Sequence, residues 1–311
     1  MRRALAEALC RVAEHDPRIV LLTGDLGYAV FDDFIARFPD RYLNVGVAEA
    51  QLMACAAGLA LEGFHPVAYS IASFATGRPY EQIRYLIDYQ NLPVTIVGAG
   101  RGFVYGTSGV SHHALDDLGL MAGLPNMTVV SPGDPYEVRL LFPQVLALAG
   151  PSYLTVGKFG EPDYPAHDAQ VQVGRARLVQ SGECVAIVCT GEMIHEVVAA
   201  CQFLVADGIY PLVYQMHTMK PIDETALLRL CMRDVQAVIV VDEHWPAGGL
   251  WDVLLRWYSG SVRTRVPPMW RLGPTHTHQL GNYSRATFRQ RLGYDADAIA
   301  CRCRIAWKGA A

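Results

Sequence analysis

A short strand pattern that runs directly into a helix of small residues constrains this fold more than any other part of the sequence. Residues 42–45 form the strand pattern, Gly46 is placed for a turn, and Glu49 falls in the first turn of the helix. Residues 53–61 then continue as Met, Ala, Cys, Gly and Leu without a charged side chain. Because small side chains let neighbouring backbones approach closely, we expect this helix to be buried on all sides.

Glu49 is an acidic residue at the start of an otherwise apolar helix, with no Lys or Arg within one turn. Two interpretations are open. The helix dipole favours an acid at a helix N-terminus, which would make Glu49 a structural residue. Alternatively, a poorly solvated site favours the protonated carboxyl, and a carboxyl of that kind suits proton transfer. The segment alone does not decide between them.

Continuous apolar runs recur along the chain, each followed by a turn and a helical pattern, and they indicate strands buried on both faces. These runs are residues 19–23, 66–70, 93–97, 185–189 and 237–241. The pattern predicts an α/β protein of two domains, each with a mainly parallel sheet flanked by helices. Chain-breaking residues at 160–165 place the first domain at 1–165 and the second at 172–311.

Candidate binding residues follow the ends of two predicted strands, where ligands gather in open α/β sheets. Asp25 and Leu26 come directly after the first apolar strand, and Phe74 lies just beyond a later one. Asp25 is equally well explained as a turn residue. A lone Phe is most often part of the core, but Phe74 at a strand end also suits a flat platform for an aromatic ligand.

His112 and His113 stand side by side in a glycine-rich loop that also carries two acids. A histidine pair in a loop favours a functional role, such as proton carrier. Metal binding is less favoured, since adjacent residues seldom point at one ion and no third ligand has suitable spacing. The glycine-rich turn at residues 98–103 matches only part of a dinucleotide-binding fingerprint, so a nucleotide-binding module is a weak alternative.

The overall composition argues against several classes of function. A net charge of −4 without a basic block argues against nucleic-acid binding, and no apolar run is long enough to span a bilayer. The amphipathic N-terminal segment carries acids and does not read as a signal peptide. The eight cysteines lack paired metal-ligand spacing, which favours free thiols in a reducing cytoplasm. A hydrophobic content of 51% predicts sizeable interfaces as well as a core.

Six motifs, taken in order, resemble the pyrimidine-binding and C-terminal domains of transketolases. They are Asn44-Val-Gly-Val-Ala-Glu49, Ala57-Gly-Leu-Ala60, Phe74-Ala-Thr-Gly-Arg78, Ser111-His112, Leu124-Pro-Asn126 and Met219-Lys-Pro-Ile-Asp223. The resemblance covers nearly the whole chain, and its first motif is highly specific. The chain is similar to the smaller subunit of a split transketolase, with 1-deoxyxylulose-5-phosphate synthase and the β subunit of 2-oxo-acid dehydrogenase E1 as near relatives.

The resemblance implies thiamine diphosphate as cofactor and a second chain as partner. In this family a separate domain holds Mg²⁺ through a Gly-Asp-Gly…Asn motif, and no Gly-Asp-Gly occurs in this sequence. The resemblance therefore implies that the chain supplies half of a site and that a partner chain holds the Mg²⁺. Family symmetry favours a heterotetramer with two copies of each chain. Small molecules are the expected substrates.

The resemblance also implies roles for residues at the cofactor. A protonated Glu49 would hydrogen-bond the pyrimidine N1′ and so promote removal of the proton from the thiazolium C2. Phe74 would stack on the pyrimidine ring, and Leu26 would pack beside it. Three further residues are expected near the cofactor: Asp25, Ile71 and Arg78.

His112 matches the family histidine that faces the reacting carbonyl. By resemblance it would hydrogen-bond a developing alkoxide or relay a proton. Five further residues are candidates for contact with substrate: His113, Ser108, Arg101, Lys158 and Arg2.

The sequence departs from the family pattern where transketolases contact the sugar and its phosphate. Ser108 replaces an Asp, Gly100 a His, and Ala29 a Ser. The residues that activate the cofactor are kept, whereas those that bind substrate are altered. We therefore expect a ketol or acyl transfer on a substrate other than the usual pentose phosphates.

Two alternatives accompany this hypothesis. A subunit of a 2-oxo-acid decarboxylase or of a deoxyxylulose-phosphate-synthase-like enzyme is less favoured, because the Ser111-His112 pair and the segment at 219–223 are transketolase-like. A non-catalytic regulatory or scaffold protein would be indicated by loss of Glu49 or Phe74, and both are present.

Overall fold

The computed structural model describes residues 1–158, 160–164, 171–233, 235–261 and 267–308. They form two mainly parallel sheets covered by helices, which confirms the predicted α/β class with two domains. The predicted end of the first domain at residue 165 lies outside the described residues, so the domain boundaries stay predictions.

The described residues contain twelve strands: β1 (Ile19–Thr23), β2 (Tyr42–Asn44), β3 (His65–Ile71), β4 (Thr95–Ala99), β5 (Thr128–Val130), β6 (Ser152–Val156), β7 (Arg177–Gln180), β8 (Ala186–Cys189), β9 (Leu212–Gln215), β10 (Thr218–Lys220), β11 (Val238–Val241) and β12 (Met269–Leu272). The α-helices are α1 (Arg2–His15), α2 (Asp32–Arg37), α3 (Glu49–Leu61), α4 (Ala72–Gly77), α5 (Tyr80–Gln82), α6 (Asp117–Ala122), α7 (Pro135–Leu146), α8 (Met193–Ala206), α9 (Glu224–Cys231), α10 (Leu250–Ser261), α11 (Arg285–Leu292) and α12 (Ala296–Lys308). Other helical turns cover Pro39–Arg41, Ile83–Asp88, Gly106–Ser108 and Val110–His112.

The first sheet has the strand order β10-β5-β6-β4-β3-β1-β2. The five apolar runs of the sequence each overlap a strand, because a strand covered by helices on both faces has to be apolar throughout. β2, β1, β3 and β4 are parallel neighbours, so the loops after their carboxyl ends lie along one edge of the sheet. That edge carries the candidate site.

The second sheet has the order β12-β11-β8-β9-β7, with β7 antiparallel to β9. β10 leaves this domain and pairs with β5 of the first sheet, antiparallel, so that the two domains share a sheet. Lys220 supports this junction by donating hydrogen bonds to the carbonyls of Ala122 and Pro125 at 3.3 and 3.0 Å. Nothing in the sequence indicates β10, since a strand of three residues has too short a pattern to be recognised.

Helix α3 begins at Glu49 and packs one face on the sheet. Leu52, Met53 and Ala56 are buried, whereas Leu61 is 62% exposed and Gly58 is also exposed. The prediction of burial on all sides was therefore wrong for this chain. The small residues leave an open face against which a second chain can pack closely.

Glu243 is a buried carboxylate that fastens the second domain to a loop of the first. Its Oε1 accepts hydrogen bonds from the Phe103 backbone N–H at 2.9 Å and from Arg285 at 2.7 Å, and its Oε2 accepts one from Arg289 at 2.6 Å. Burial opposes ionisation, but the two arginines and the Phe103 N–H outweigh it and lower the pKa of Glu243 to about 2. Gly102 has a positive φ of 63°, and a Cβ there would clash with this carboxylate. These contacts give Glu243 a structural role.

Replacing Glu243 by Gln is expected to lower the free energy of unfolding by about 3 kcal/mol, because buried guanidinium groups lose their counter-charge. Denaturant titration measures the loss. Glu7→Gln is the control, since Glu7 pairs with Arg3 at the exposed surface of α1, and an exposed pair contributes less than about 1 kcal/mol. Equal losses in the two variants would show that the Glu243 contacts do not stabilise the fold.

Candidate active site

The loops after β1 and β2 are joined by side-chain hydrogen bonds. Asp25 has a positive φ of 56°, and its carboxylate accepts from Tyr28 at 2.7 Å and from Asn44 at 3.2 Å. These two hydrogen bonds lower the pKa of Asp25. Asn44 also accepts from the backbone N–H groups of Asp25 and Gly46. Asp25 thus lies in the left-handed region, which is uncommon for a non-glycine residue but which Asp tolerates in turns.

Glu49 is 4% exposed, but its carboxylate is not isolated. Arg78 Nη1 donates to Oε1 at 3.1 Å and to Oε2 at 3.0 Å. The two residues are 29 positions apart in sequence, so the absence of Lys and Arg within one turn of Glu49 does not leave its carboxylate unpaired. The fold supplies the cation from the end of α4.

Phe74 belongs to α4, at the same edge of the sheet, and its ring is half-buried. The Arg78 guanidinium carbon lies 4.1 Å from the centroid of the Phe74 ring. His112 meets the ring edge-on, with 4.9 Å between centroids. Phe74 therefore borders both Arg78 and His112 and is a platform at the surface of the site, not a core residue.

His112 lies half-buried on a turn that faces Phe74. Its Nδ1 is 3.0 Å from the Ser111 hydroxyl, and Tyr105 lies 6.1 Å away between ring centroids. Burial lowers the pKa of His112, and the Arg78 guanidinium lowers it further. The imidazole is therefore neutral at physiological pH and is able to donate or accept a hydrogen bond.

His113 points into the protein, although it is adjacent in sequence to His112. Its ring lies 4.9 Å from Phe103 and 5.3 Å from Phe288, between centroids, and its Nε2 is 3.3 Å from the Gly106 carbonyl. This packing leaves the residue 9% exposed and turns its ring away from His112, so the structure does not support the predicted contact of His113 with substrate.

Arg101 is also buried and does not face the site. It is 1% exposed and pairs with Asp242 at 3.2 Å and with Asp117 at 3.9 Å. Burial opposes its charge, but the surrounding carboxylates prevail and raise the pKa of Arg101. Arg101 therefore has a structural role between the domains. Because it is buried in these ion pairs, it does not make the contact with substrate that was predicted for it.

Lys158 and Arg2 place positive charge beside the His112 loop. Arg2 donates to the Lys158 carbonyl at 2.6 Å, and Lys158 Nζ lies 5.0 Å from the Tyr105 ring. Both line a surface cavity of about 660 Å³ that also contains Tyr28 and Ala29 and three acids, Glu7, Asp32 and Asp33. The Tyr105 ring lies near both Lys158 and His112, with 6.1 Å between the Tyr105 and His112 centroids.

The remaining predicted residues lie along the same edge. Leu26 follows β1 and is half-buried, Ile71 ends β3 and is half-buried, and Ser108 is exposed on the turn before His112. Their contacts with cofactor or substrate stay predictions. Among the described residues, no group of three His, Cys, Asp or Glu side chains is placed to hold a metal ion.

Asn44 and the segment that contains Phe288 support the site, and neither role was predicted from the sequence. Asn44 lies in the first family motif, so a signal for it existed. Phe288 of α11 stacks on Phe103 at 4.2 Å and 13°, and a Cβ at Gly106 would approach the Tyr283 carbonyl at 2.5 Å. Nothing in the sequence connects this segment with the His112 loop.

Substitution Arg78→Met is expected to raise the pKa of His112 toward, but not beyond, its usual value of about 6.5, because the charge is removed while burial persists. As the pH falls, His112 would then become protonated at a higher pH than in the wild type. NMR titration of the imidazole protons, assigned with His112→Gln, measures the midpoint. An unchanged midpoint would show that the guanidinium does not act on this ring.

Both halves of the chain match domains of a known family. The model of the transketolase pyrimidine-binding domain matches residues 1–158, and that of the transketolase C-terminal domain matches residues 174–299. In the described residues, every helix is too short or too polar to cross a bilayer.

Similar proteins include subunits of split enzymes. The 6-deoxy-6-sulfo-D-fructose transketolase subunit of Clostridium sp. is 35% identical over 80% of this chain and 78% of its own length. A subunit of the apulose-4-phosphate transketolase of Actinobacillus succinogenes is 34% identical over 86% of this chain and 85% of its own.

Comparison with solved structures also finds transketolases. A split-gene transketolase, solved as an inactive beta4 tetramer, superposes with a TM-score of 0.88 at 32% identity, covering 99% of this chain and 98% of that one. Transketolase from Leishmania mexicana shares the fold, with a TM-score of 0.82 at 18% identity over 99% of this chain and 45% of its own. The chain therefore belongs to the transketolase family and is homologous to the subunits of split transketolases.

Proposed function

We propose that this chain is the smaller subunit of a thiamine-diphosphate-dependent transketolase-like enzyme and supplies the pyrimidine half of its active site. The observation that carries the proposal is that the buried Glu49 carboxylate and one face of the Phe74 ring both contact the same side chain. Arg78 lies against both groups at 3.0 and 4.1 Å, so the site already accommodates a planar group with N–H donors. An aminopyrimidine ring is likewise planar and can stack on Phe74, and its ring nitrogen would accept a hydrogen bond from a protonated Glu49 where the guanidinium donates one to the carboxylate.

Thiamine diphosphate supplies a carbon nucleophile that accepts and releases the transferred two-carbon unit. The residues of this chain prepare that chemistry. Glu49, buried at the start of an apolar helix, would share a proton with the pyrimidine nitrogen once the pyrimidine has replaced the cation beside it. Phe74 fixes the plane of the ring by stacking.

His112 acts on the substrate side in this proposal. Its neutral imidazole lies 4.9 Å from Phe74 between centroids, so it borders the space above the proposed cofactor. A neutral N–H placed there stabilises negative charge that develops on the substrate oxygen, and it also transfers a proton.

The partner is proposed to be a chain with the Gly-Asp-Gly…Asn motif, which holds Mg²⁺ and the diphosphate. Support comes from exposed apolar side chains near Glu49 and along α3, including Val47 at 72% and Leu61 at 62% exposure. Patches of this kind mark interfaces.

The proposed assembly is a heterotetramer. The proposed location is the cytoplasm, because all eight cysteines are free thiols, as is usual in a reducing compartment.

The test is cofactor binding to the chain with and without its partner. We expect the complex to bind thiamine diphosphate and Mg²⁺ at least tenfold more tightly than the isolated chain, as measured by calorimetry. Glu49→Gln is expected to assemble normally and to lose more than about a hundredfold in kcat, because general acid–base catalysis contributes ~10²–10⁴-fold. Equal binding by chain and complex would contradict the half-site, and unchanged turnover would contradict the role of Glu49.

A deoxyxylulose-phosphate-synthase-like activity is the second candidate. Synthase chains such as that of Magnetococcus marinus are 33% identical over 96% of this chain and 48% of their own length. The product distinguishes the two, since a synthase releases CO₂ from a 2-oxo acid and a ketol transfer does not.

The donor is proposed to be a ketose with an anionic far end other than xylulose 5-phosphate. Lys158 and Arg2 supply the positive charge, and Ser108 departs from the family residue that contacts the sugar. The similar proteins from Clostridium sp. and A. succinogenes are named for a sulfonated sugar and a sugar phosphate.

Steady-state assays of the complex with 6-deoxy-6-sulfofructose, apulose 4-phosphate and xylulose 5-phosphate test this proposal. We expect Lys158→Met to raise KM for the best anionic donor about tenfold with little change in kcat, because a charge-assisted contact contributes about 1.5–3 kcal/mol. Xylulose 5-phosphate as the best donor would refute the proposed substrate class.

A further inference from the structure

Arg78 occupies both groups that the proposed function assigns to the pyrimidine ring. We infer that Arg78 is a placeholder, which fills the pyrimidine position in the cofactor-free subunit and has to leave when thiamine diphosphate binds. The inference rests on the proposed function. It assigns Arg78 the opposite effect from a cofactor-binding residue, because a placeholder weakens binding and a binding residue strengthens it.

The first observation is the hydrogen bonding of Glu49. A single nitrogen of Arg78 bridges Oε1 and Oε2 at 3.1 and 3.0 Å. The carboxylate is 4% exposed, so its surroundings leave little room for a second ligand. A ring nitrogen that bonds to this carboxyl therefore replaces Arg78.

The second observation is the stacking on Phe74. The guanidinium carbon lies 4.1 Å from the ring centroid, which is the distance of a planar group lying over an aromatic face. His112 meets the same ring edge-on at 4.9 Å. Arg78 thus covers the face that a stacked pyrimidine would use, and like that ring it is planar.

The third observation is that the Arg78 side chain is partly exposed in this chain. Its side chain is 52% exposed, in contrast to the buried carboxylate that it contacts. It stands at the end of α4, beside Pro79 and after Gly77. A rotation of the side chain toward solvent breaks both contacts without a change in the helix, and an exposed arginine regains hydration when it does so.

The experiment compares cofactor affinity in the complete complex. The complex with the partner chain is freed of cofactor by dialysis against a chelator and titrated with thiamine diphosphate and Mg²⁺ in a calorimeter. Arg78→Met keeps the length and apolar stem of the side chain and removes the guanidinium. We expect this variant to bind about tenfold more tightly than the wild type, a difference of about 1.4 kcal/mol.

Arg37→Met is the matched control. Arg37 pairs with Glu14 and Asp33 and lies 5.2 Å from the Phe38 ring, so it combines the same two contacts away from the site. Its replacement is expected to leave the affinity for thiamine diphosphate unchanged. Thermal unfolding of both variants checks that the fold is intact.

Weaker binding by Arg78→Met would make Arg78 a cofactor-binding residue and overturn the inference, and so would equal binding. If the wild-type complex binds no thiamine diphosphate, the proposed function fails together with the inference. Crystal structures of the wild-type complex with and without cofactor provide a second measurement. The contact between Arg78 and Glu49 should be present without cofactor and broken with it, and its persistence with cofactor would overturn the inference.

Discussion

The buried carboxylate of Glu243 links the two domains at the loop on which the candidate site depends. It accepts hydrogen bonds from the Phe103 backbone, Arg285 and Arg289, so the second domain fixes the beginning of the loop that carries His112. The groups with proposed chemical roles all lie in the first domain. The loop that carries His112 is nevertheless held by contacts from the second domain, although that domain contributes none of those groups.

The fold class was predictable because strands covered on both faces have to be continuous apolar runs. β10 was not predictable, since three residues carry no period and their partner strand β5 is distant in sequence. The helix that begins at Glu49 was also predictable, because residues 53–61 form a continuous apolar run. Its small residues indicate close packing against a neighbour, but a sequence pattern does not say whether that neighbour belongs to the same chain.

The candidate site was predictable as a location and less so as a set of contacts. His112 and His113 are adjacent in the same loop, and only the packing of Phe288 against His113 decides which of them faces the site. Arg101 fitted a family pattern, yet its ion pair with Asp242 removes it from the surface. Such choices depend on residues that are close in space and far apart in sequence, where neither spacing nor composition carries information.

Glu49 and Glu243 are both buried carboxylates paired with arginine, and the comparison explains why only one is suited to bind a ligand. Arg289, which binds Glu243, is 7% exposed, and the same carboxylate also accepts a backbone N–H. Breaking these contacts would leave buried charges without partners, which is costly. The Arg78 side chain that binds Glu49 is 52% exposed, so water replaces its lost contacts. Arg289 is buried, so its contact with Glu243 is costly to break. Arg78 is exposed, so its contact with Glu49 is exchangeable for water or a ligand.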